Sequence, residues 1–197
     1  MVPGPTLEIR PAGAAEWSAV ETVMDIPGDP GRCWCQYFLR RGHAWASASP
    51  GELREALREQ VTGSAVPPGL VAYDGATPVG WVQAGPKASF PRVLSSRVSA
   101  APADHPDPDG LWAVTCFVVP RPHRRCGVAR ALLGATVGFA REHAATAVEG
   151  YAVDTDAGPP SGAAELYHGT VAMFADAGFA VVRRPTPRRA VVRLDLS

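Results

Sequence analysis

The chain has 197 residues and a mass of 20.7 kDa, and its 19 basic and 19 acidic residues give a formal net charge of zero. This length is typical of one domain with one core, and 46% hydrophobic against 19% charged residues excludes a disordered chain. Zero net charge argues against a partner that is nucleic acid or an anionic membrane.

Nothing in the sequence predicts membrane insertion or export. No apolar run reaches the roughly 18 residues of a membrane span, and the first residues lack a basic region followed by an apolar core. The four cysteines (Cys33, Cys35, Cys116 and Cys126) are too few and too unevenly spaced for a disulfide framework. We therefore expect a cytoplasmic protein with reduced thiols.

The first third of the chain predicts a strand, a helix, an aromatic loop and a second helix. Residues 6–10 alternate apolar and polar side chains, and residues 14–24 have apolar side chains at helical spacing. The loop, residues 33–45, follows a Pro/Gly break. The second helix begins near Pro50, where Ser47 or Ser49 could cap it.

The middle of the chain predicts a hairpin, an irregular segment and a central strand. Strands at 70–73 and 78–83 flank the turn sequence Asp74-Gly75-Ala76. Residues 85–110 are rich in Pro, Ser, Ala and Asp, which favours a loop insertion within one domain spanning 1–197. Residues 111–119 are an almost unbroken apolar run, which is typical of a strand covered on both faces.

The last third predicts a buried helix at 128–143, a strand at 148–153 and a Gly/Pro loop at 154–162. A further helix at 163–177 is interrupted at Gly169 and capped by Gly178, and two strands, 179–183 and 190–196, end the chain. The order of elements is mixed α/β, and ligands of such sheets bind where the central strands end.

The segment 118–130 joins the apolar strand to the buried helix and carries most of the chemistry. The first N–H groups of a helix have no intrahelical partner and lie at the positive end of its dipole, so they can bind a phosphate. Gly127 allows close backbone approach, Ala129 is small, and Arg124, Arg125 and Arg130 add positive charge. The alternative is an ordinary turn with solvated arginines. A Rossmann or Walker site is disfavoured because its glycine or Lys-Ser/Thr pattern is absent.

The pattern Arg124-x-x-Gly127-x-Ala129, preceded by Val118-x-Pro120 and followed by an amphipathic helix, resembles the acetyl-CoA pyrophosphate loop of the GNAT superfamily of N-acetyltransferases. Residues 173–179 (MFADAGF) resemble the family's last helix, which commonly ends in Gly-Phe. The resemblance implies an α/β (α+β) single domain, with a mixed, mostly antiparallel twisted sheet of about seven strands flanked by about four helices.

The resemblance also implies which residues bind acetyl-CoA. Backbone groups of Cys116, Phe117 and Val118 would meet the pantetheine arm, and the Val118 N–H would polarise the thioester carbonyl. The pyrophosphate would be surrounded by the loop and the helix start, namely Arg125, Cys126, Gly127, Val128, Ala129 and Arg130.

The acid and the base of the family are displaced in this sequence. Residues 111–119 contain no carboxylate, and on the next strand Ala152 occupies the usual glutamate place while Glu149 has the opposite parity, so the general base stays unassigned. The family's tyrosine position is Phe174. Tyr167, two helical turns earlier, is the candidate acid or CoA contact, with a buried structural tyrosine as the alternative. Tyr151 and His168 are further candidates.

The aromatic loop is the candidate acceptor pocket. The family places its first helices over the acceptor, and Trp34, Tyr37 and Phe38, with Trp45, would supply rigid apolar walls. A plain core segment is the alternative. The pair Cys33 and Cys35 does not predict a metal site, because the five histidines are scattered and no second cluster completes a tetrahedral set.

These features predict an acetyl-CoA-dependent N-acetyltransferase that transfers acetyl to a primary amine of a small molecule, by direct attack in a ternary complex. The expected partners are acetyl-CoA and an amine acceptor, without nucleic acid, membrane or metal; a homodimer stays open. Two alternatives remain. One is a CoA-binding regulatory or assembly module that has lost turnover, and the other is a protein amine acetyltransferase.

Overall fold

A computed structural model of the protein describes residues 7–103, 106–158 and 162–196. Its centre is one sheet with strand order β1-β2-β3-β4-β5-β7-β6, in which β4 and β5 are parallel and the other neighbours antiparallel. The strands are β1 Leu7–Pro11, β2 Gly69–Asp74, β3 Thr77–Pro86, β4 Leu111–Val118, β5 Ala147–Val153, β6 Ala180–Thr186 and β7 Arg189–Asp195. Thr6, the predicted first residue of β1, lies outside the described residues.

The helices flank this sheet, and the predicted fold class is confirmed. They are α1 Trp17–Met24, α2 Asp29–Cys33, α3 His43–Ala46, α4 Pro50–Gly63, α5 Pro91–Ser95, α6 Val128–Glu142, α7 Ala163–Leu166 and α8 Val171–Asp176. Periodicity indicated the longer ones; the additional helices are of four or five residues, too short for an apolar stripe. Gly169, with φ +75°, separates α7 from α8 within the predicted C-terminal helix.

Each face of the sheet is covered by its own apolar cluster. The α6 face contains Leu132 and Leu133 of α6 and Phe174 of α8, packed against β3, β4 and β5. The α4 face contains Leu53 and Leu57 of α4, packed with α1 against Trp81. A capping box starts α4, because the Ser49 side chain accepts from the Glu52 N–H and the Ser49 N–H donates to Glu52 Oε2 at 2.7 Å.

The strands β4 and β5 separate at the centre of the sheet. They pair only over a short stretch, from Leu111 opposite Ala147 to Val114 opposite Gly150. Beyond that point the chain after α7 lies between them: the Phe117 N–H donates to Tyr167 O at 2.6 Å, and the Val153 N–H donates to Gly169 O at 2.9 Å. The separation opens the sheet at the carboxyl ends of two parallel strands, where α/β proteins bind ligands.

The segment 85–110 is more regular than the predicted loop insertion. It begins with the last two residues of β3 and contains a short 3₁₀ turn, Lys87–Ser89, and α5. The Lys87 side chain is buried and reaches back to the sheet. The composition rich in Pro and Ser concealed these elements because none is longer than five residues.

Candidate active site

A first cavity of about 450 Å³, the loop cavity, opens where β4 ends and α6 begins. Six of the nine residues predicted to bind the cofactor line it. Its described lining is Phe117, Val119, His123, Arg124, Arg125, Gly127, Val128, Ala129, Arg130, Leu166, Tyr167 and Met173.

The start of α6 presents unpaired N–H groups at this cavity. The intrahelical hydrogen bonds begin with the Ala131 N–H, which donates to Gly127 O at 2.9 Å, and no side chain caps the helix. Gly127 has φ +83°, and a Cβ there would meet no atom within 4 Å. The glycine therefore serves the turn, and the space in front of the helix start is open to an anion.

The loop arginines differ in their surroundings. Arg124 is anchored, because its Nε donates to Val119 O at 2.9 Å. Arg130 forms an ion pair with Asp176 of α8, and both side chains are exposed. Arg125 has φ +63° and lines the cavity. Positive charge and free N–H groups thus meet at one place, which suits a pyrophosphate.

Three predicted cofactor residues do not line the loop cavity: Cys116, Val118 and Cys126. We expected the Val118 N–H to polarise the thioester carbonyl, but this N–H does not point toward the separation between β4 and β5. The Phe117 N–H lies on the β5 side of β4, and N–H groups alternate between the edges of an extended strand. The Val118 N–H therefore turns toward β3, where Val118 lies opposite Trp81. Phe117 and Val119, not Cys116 and Val118, face the separation.

A second cavity of about 460 Å³, the aromatic cavity, is lined by parts of the aromatic loop, α5, β5 and the start of β7. Tyr37 packs edge-on against Phe38 at 5.0 Å and against Trp45 at 5.3 Å between ring centroids. The described lining is Tyr37, Phe38, Arg41, Gly42, Arg92, Ser95, Ser96, Val98, Ser99, Tyr151, His168 and Arg189. Two of the three predicted acceptor-pocket residues, Tyr37 and Phe38, line this cavity.

Trp34, the third predicted acceptor-pocket residue, does not line the aromatic cavity. It is 3% exposed in the α4-face cluster and stacks on Trp17 with ring centroids 6.4 Å apart. Its φ of +45° ends α2 in the left-handed region, and its ring packs in the α4-face cluster whereas Tyr37 and Phe38 line the cavity. Cys35, next in the chain, is also buried, and its sulfur accepts from Trp81 Nε1 at 3.3 Å.

Two consecutive residues line the two cavities, one each. Tyr167 lines the loop cavity and His168 lines the aromatic cavity. His168 Nδ1 lies 3.0 Å from Thr115 O, and because a carbonyl only accepts, Nδ1 carries the proton and Nε2 is the basic nitrogen of the neutral ring. Burial lowers the pKa of His168, and burial raises the pKa of Tyr167. At neutral pH the pair consists of a neutral imidazole and a protonated phenol.

Ala152 and Glu149 lie on opposite faces of β5, as expected, but the face with Tyr151 beside the aromatic cavity is that of Glu149 and not that of Ala152. Ala152 packs in the α6-face cluster, whereas Glu149 is buried together with Lys87 on the opposite side, toward Tyr151. Glu149 is not a free base, because Lys87 Nζ lies 2.6 Å and Arg193 Nη2 lies 2.7 Å from its carboxylate oxygens. The sequence signal that we missed is Lys87, the single lysine of the chain.

Phe174 and the cysteines Cys33 and Cys35, which the sequence analysis considered for chemistry, are buried or have raised pKa values. Phe174 is fully buried in the α6-face cluster, so the family's acid position contributes to the core. Burial raises the pKa of Cys33 to about 12, and a hydrogen bond with Cys116 together with burial raises the pKa of Cys35. Within the described ranges, no group of three or more His, Cys, Asp or Glu side chains could hold a metal ion.

Comparison with known proteins identifies the family. The model of the acetyltransferase (GNAT) family matches residues 34–168, about two thirds of the 197-residue chain. The chain belongs to the GNAT acetyltransferase family. The match extends from the aromatic loop through α6 to His168. A comparison with curated protein sequences finds no match. In the part of the chain that the structure describes, no helix has the length and apolar content needed to cross a membrane.

Solved structures share the GNAT fold over almost the whole chain. An N-acetyltransferase from Staphylococcus aureus Mu50 aligns with TM-score 0.56 and 13% identity, over 98% of this chain and 99% of its own. The GNAT domain of S. lividans PAT aligns with TM-score 0.55 and 18% identity, over 96% and 90%. YncA from Salmonella typhimurium, solved with acetyl-CoA, aligns with TM-score 0.51 and 16% identity, over 97% and 94%.

Proposed function

We propose that this GNAT protein transfers an acetyl group from acetyl-CoA to a primary amine of a small molecule, by direct attack in a ternary complex. The observation that carries the proposal is that two consecutive residues, Tyr167 and His168, line the two cavities. One cavity has the anion-binding helix start, and the other has the size of a small-molecule site, about 460 Å³. The cavity size favours a small acceptor over a protein chain.

The residues of the loop cavity fit acetyl-CoA. The free N–H groups of Val128, Ala129 and Arg130 and the guanidinium of Arg125 would hold the pyrophosphate. Phe117 and Val119 would lie beside the pantetheine arm, where β4 and β5 separate. When bound, acetyl-CoA supplies an activated thioester. The S. typhimurium neighbour, solved with acetyl-CoA, supports this choice of acetyl donor.

His168 and Tyr167 would divide the proton transfers. As the amine nitrogen bonds to the acetyl carbon and the carbon–sulfur bond breaks, His168 Nε2 takes the proton from the nitrogen and the Tyr167 hydroxyl gives a proton to the sulfur. The depressed pKa of His168 keeps its ring neutral, and the raised pKa of Tyr167 keeps its phenol protonated. Each residue is therefore in the protonation state that its role requires at neutral pH.

Equilibrium binding of CoA tests the loop assignment. Gly127→Glu puts a carboxylate at the start of α6, so we expect the Kd for CoA to rise at least about ten-fold. Gly134→Glu is the matched control, because Gly134 is exposed on the same helix and a Cβ there meets nothing within 4 Å. Gly127→Ala measures the cost of the positive φ alone. Equal CoA affinities in Gly127→Glu and Gly134→Glu would contradict the proposed site.

Acetyl transfer to a panel of primary amines tests catalysis. We expect His168→Gln and Tyr167→Phe each to lower kcat by about 10² or more, with the Kd for CoA within a factor of about two of wild type. Both replacements keep much of the shape of the side chain. Turnover that survives both changes would remove these residues from the mechanism. CoA binding without acetylation of any amine would favour the regulatory or assembly module instead.

A further inference from the structure

The charged residues that line the aromatic cavity indicate which other group the amine acceptor carries. Three of its twelve described lining residues are arginines, and none is an aspartate or a glutamate. His168, the other ionisable base in the lining, is neutral at neutral pH because burial lowers its pKa. The wall around a bound acceptor is therefore positive, which disfavours polycationic amines and favours an acceptor with an anionic group.

Arg92 is held in place by the aromatic loop. Its Nε donates to Tyr37 O at 2.7 Å and its Nη2 donates to Arg40 O at 2.9 Å. The guanidinium also lies 4.2 Å from the centre of the Tyr37 ring. These contacts involve carbonyl groups and a π face, so they fix the side chain without pairing its charge, and no carboxylate of the described residues forms an ion pair with it.

Arg189 and Arg41 complete the positive wall. Neither has a carboxylate oxygen within 4 Å among the residues that the structure describes. Glu165, the acid whose charge acts on Arg189, is already paired with Arg188 at 3.0 Å. Arg189 is partly buried at the start of β7, and burial lowers its pKa. A partly desolvated guanidinium without a counter-ion is stabilised when an anion binds beside it.

We infer that the acceptor is a small primary amine that carries a carboxylate, with the carboxylate bound by Arg189 and Arg41 and the amine directed to His168. The body of the acceptor packs against the rings of Tyr37 and Phe38, which belong to the apolar part of the wall. A planar carboxylate fits the donor fork of a guanidinium better than a neutral polar group does. The inference rests on the proposed function for the role of the amine, but the carboxylate preference is a property of binding.

Calorimetric titration of the protein alone with matched pairs of ligands tests the inference. The pairs are phenylalanine with phenethylamine, tyrosine with tyramine, and 3-(aminomethyl)benzoate with benzylamine, and the members of each pair differ by one carboxylate. We expect at least one acid to bind about ten-fold or more tightly than its amine. Equal affinities within every pair, or no binding by any acid, would overturn the inference.

Variants identify the carboxylate site. We expect Arg189→Gln to remove most of the preference for the acid, Arg189→Lys to keep part of it, and Arg58→Gln to leave it unchanged. Arg58 is the control because it is exposed on α4 and pairs only with Glu55 within its own helix, among the contacts of the described chain. A full preference in Arg189→Gln would move the site elsewhere and overturn the assignment.

The Kd for CoA, measured on the same variants, separates the two proposals. Acid binding without CoA binding would reject the proposed function and keep the carboxylate site. CoA binding and acetyl transfer without an acid preference would keep the proposed function and reject the carboxylate site.

Discussion

At the scale of single residues, the site depends on the backbone that carries Tyr167 and His168. The Tyr167 carbonyl accepts from the Phe117 N–H, and the His168 ring bonds to the Thr115 carbonyl, so both residues are tied to the same edge of β4. Two neighbours in the chain can therefore serve two cavities. His168 also packs edge-on against Phe38, with ring centroids 5.5 Å apart. The ring is fixed on two sides, which suits a group that must accept a proton at a defined place.

The titration of His168 gives a prediction for stability. Because its pKa is lower in the folded chain than the ordinary value of about 6.5, the unfolded chain binds more protons as the pH falls below neutral. The contribution of His168 to stability is therefore present above pH 6.5 and decreases as the pH falls toward the folded pKa. Between neutral pH and about pH 5, we expect the free energy of unfolding, measured with urea, to fall more steeply in wild type than in His168→Gln. Parallel pH profiles of the two proteins would contradict the depressed pKa.

The cysteines give a second prediction at this scale. Cys126 is exposed on the loop, whereas Cys35 is buried and burial raises the pKa of Cys33 to about 12. Since the thiolate is the reactive form, we expect iodoacetamide at neutral pH to alkylate Cys126 before Cys33 and Cys35. Mass spectrometry of peptides after short exposure measures the order. Cys126→Ser should remove the fast label, and early labelling of Cys33 or Cys35 would show that the aromatic loop opens.

Some residue positions could not be predicted because they depend on a single backbone angle. Trp34 and Cys35 have φ of +45° and +53°, values that side chains other than glycine seldom adopt. A sequence pattern gives no sign of such a turn, so the sequence alone places Trp34 in the pocket with Tyr37 and Phe38. The Val118 N–H also depends on a local irregularity: Gln83 and Ala84 of β3 lie opposite Cys116 and Val114 of β4, so Thr115 is an extra residue, and such a bulge changes which N–H groups point to each edge.

At the scale of elements, α8 packs on β5 through one aromatic ring. The Phe174 ring lies against Gly150, where an added Cβ would come within 2.4 Å of Cζ. The ring also stacks edge-on with Phe117 at 6.1 Å and with Phe179 at 5.1 Å between centroids. The Phe174 ring thus contacts both β4 and β5, the two strands that separate at the site. Position 174, where the family commonly has a tyrosine, therefore stabilises the packing of α8 in this chain.

Gly150→Ala tests this packing. The new methyl group would overlap a fully buried ring, so we expect a loss of about 1–3 kcal/mol in the free energy of unfolding. Phe174→Leu removes the overlapped ring atoms. We expect Gly150→Ala to cost less in the Phe174→Leu background than in wild type, as measured by a double-mutant cycle in urea. Additive effects would mean that the two residues do not limit each other.

The long elements could be predicted because their patterns are local. The apolar run of β4 and the stripe of α6 give their position within a few residues, and the Gly178 signal correctly ends α8. The separation of β4 from β5 could not be predicted, because it depends on contacts between Phe117 and Tyr167, fifty residues apart in the chain. The loop cavity was therefore expected from its motif, whereas the arginine wall of the aromatic cavity was not.

At the scale of the whole molecule, a net charge of zero conceals a buried ionic cluster. Lys87 and Glu149 are 3% and 1% exposed, and Arg193 and Asp107 complete a set with two positive and two negative charges. Lys87 and Asp107 belong to the segment 85–110, whereas Glu149 and Arg193 belong to β5 and β7. The cluster joins this segment to the sheet beneath Tyr151, which lines the aromatic cavity.

Glu149→Gln leaves the buried Lys87 and the partly buried Arg193 with one acid, so we expect it to cost about 3–5 kcal/mol of unfolding free energy. Lys87→Met has the opposite imbalance. The double variant restores balance, because Arg193 keeps Asp107 at 3.3 Å, and it should cost less than the sum of the single changes. Urea unfolding measures the cycle.

Because the segment 85–110 carries α5 over the aromatic cavity, the single variants should weaken acceptor binding more than CoA binding. A purely additive cycle would mean that the four charges act separately and that 85–110 is held by its apolar contacts alone.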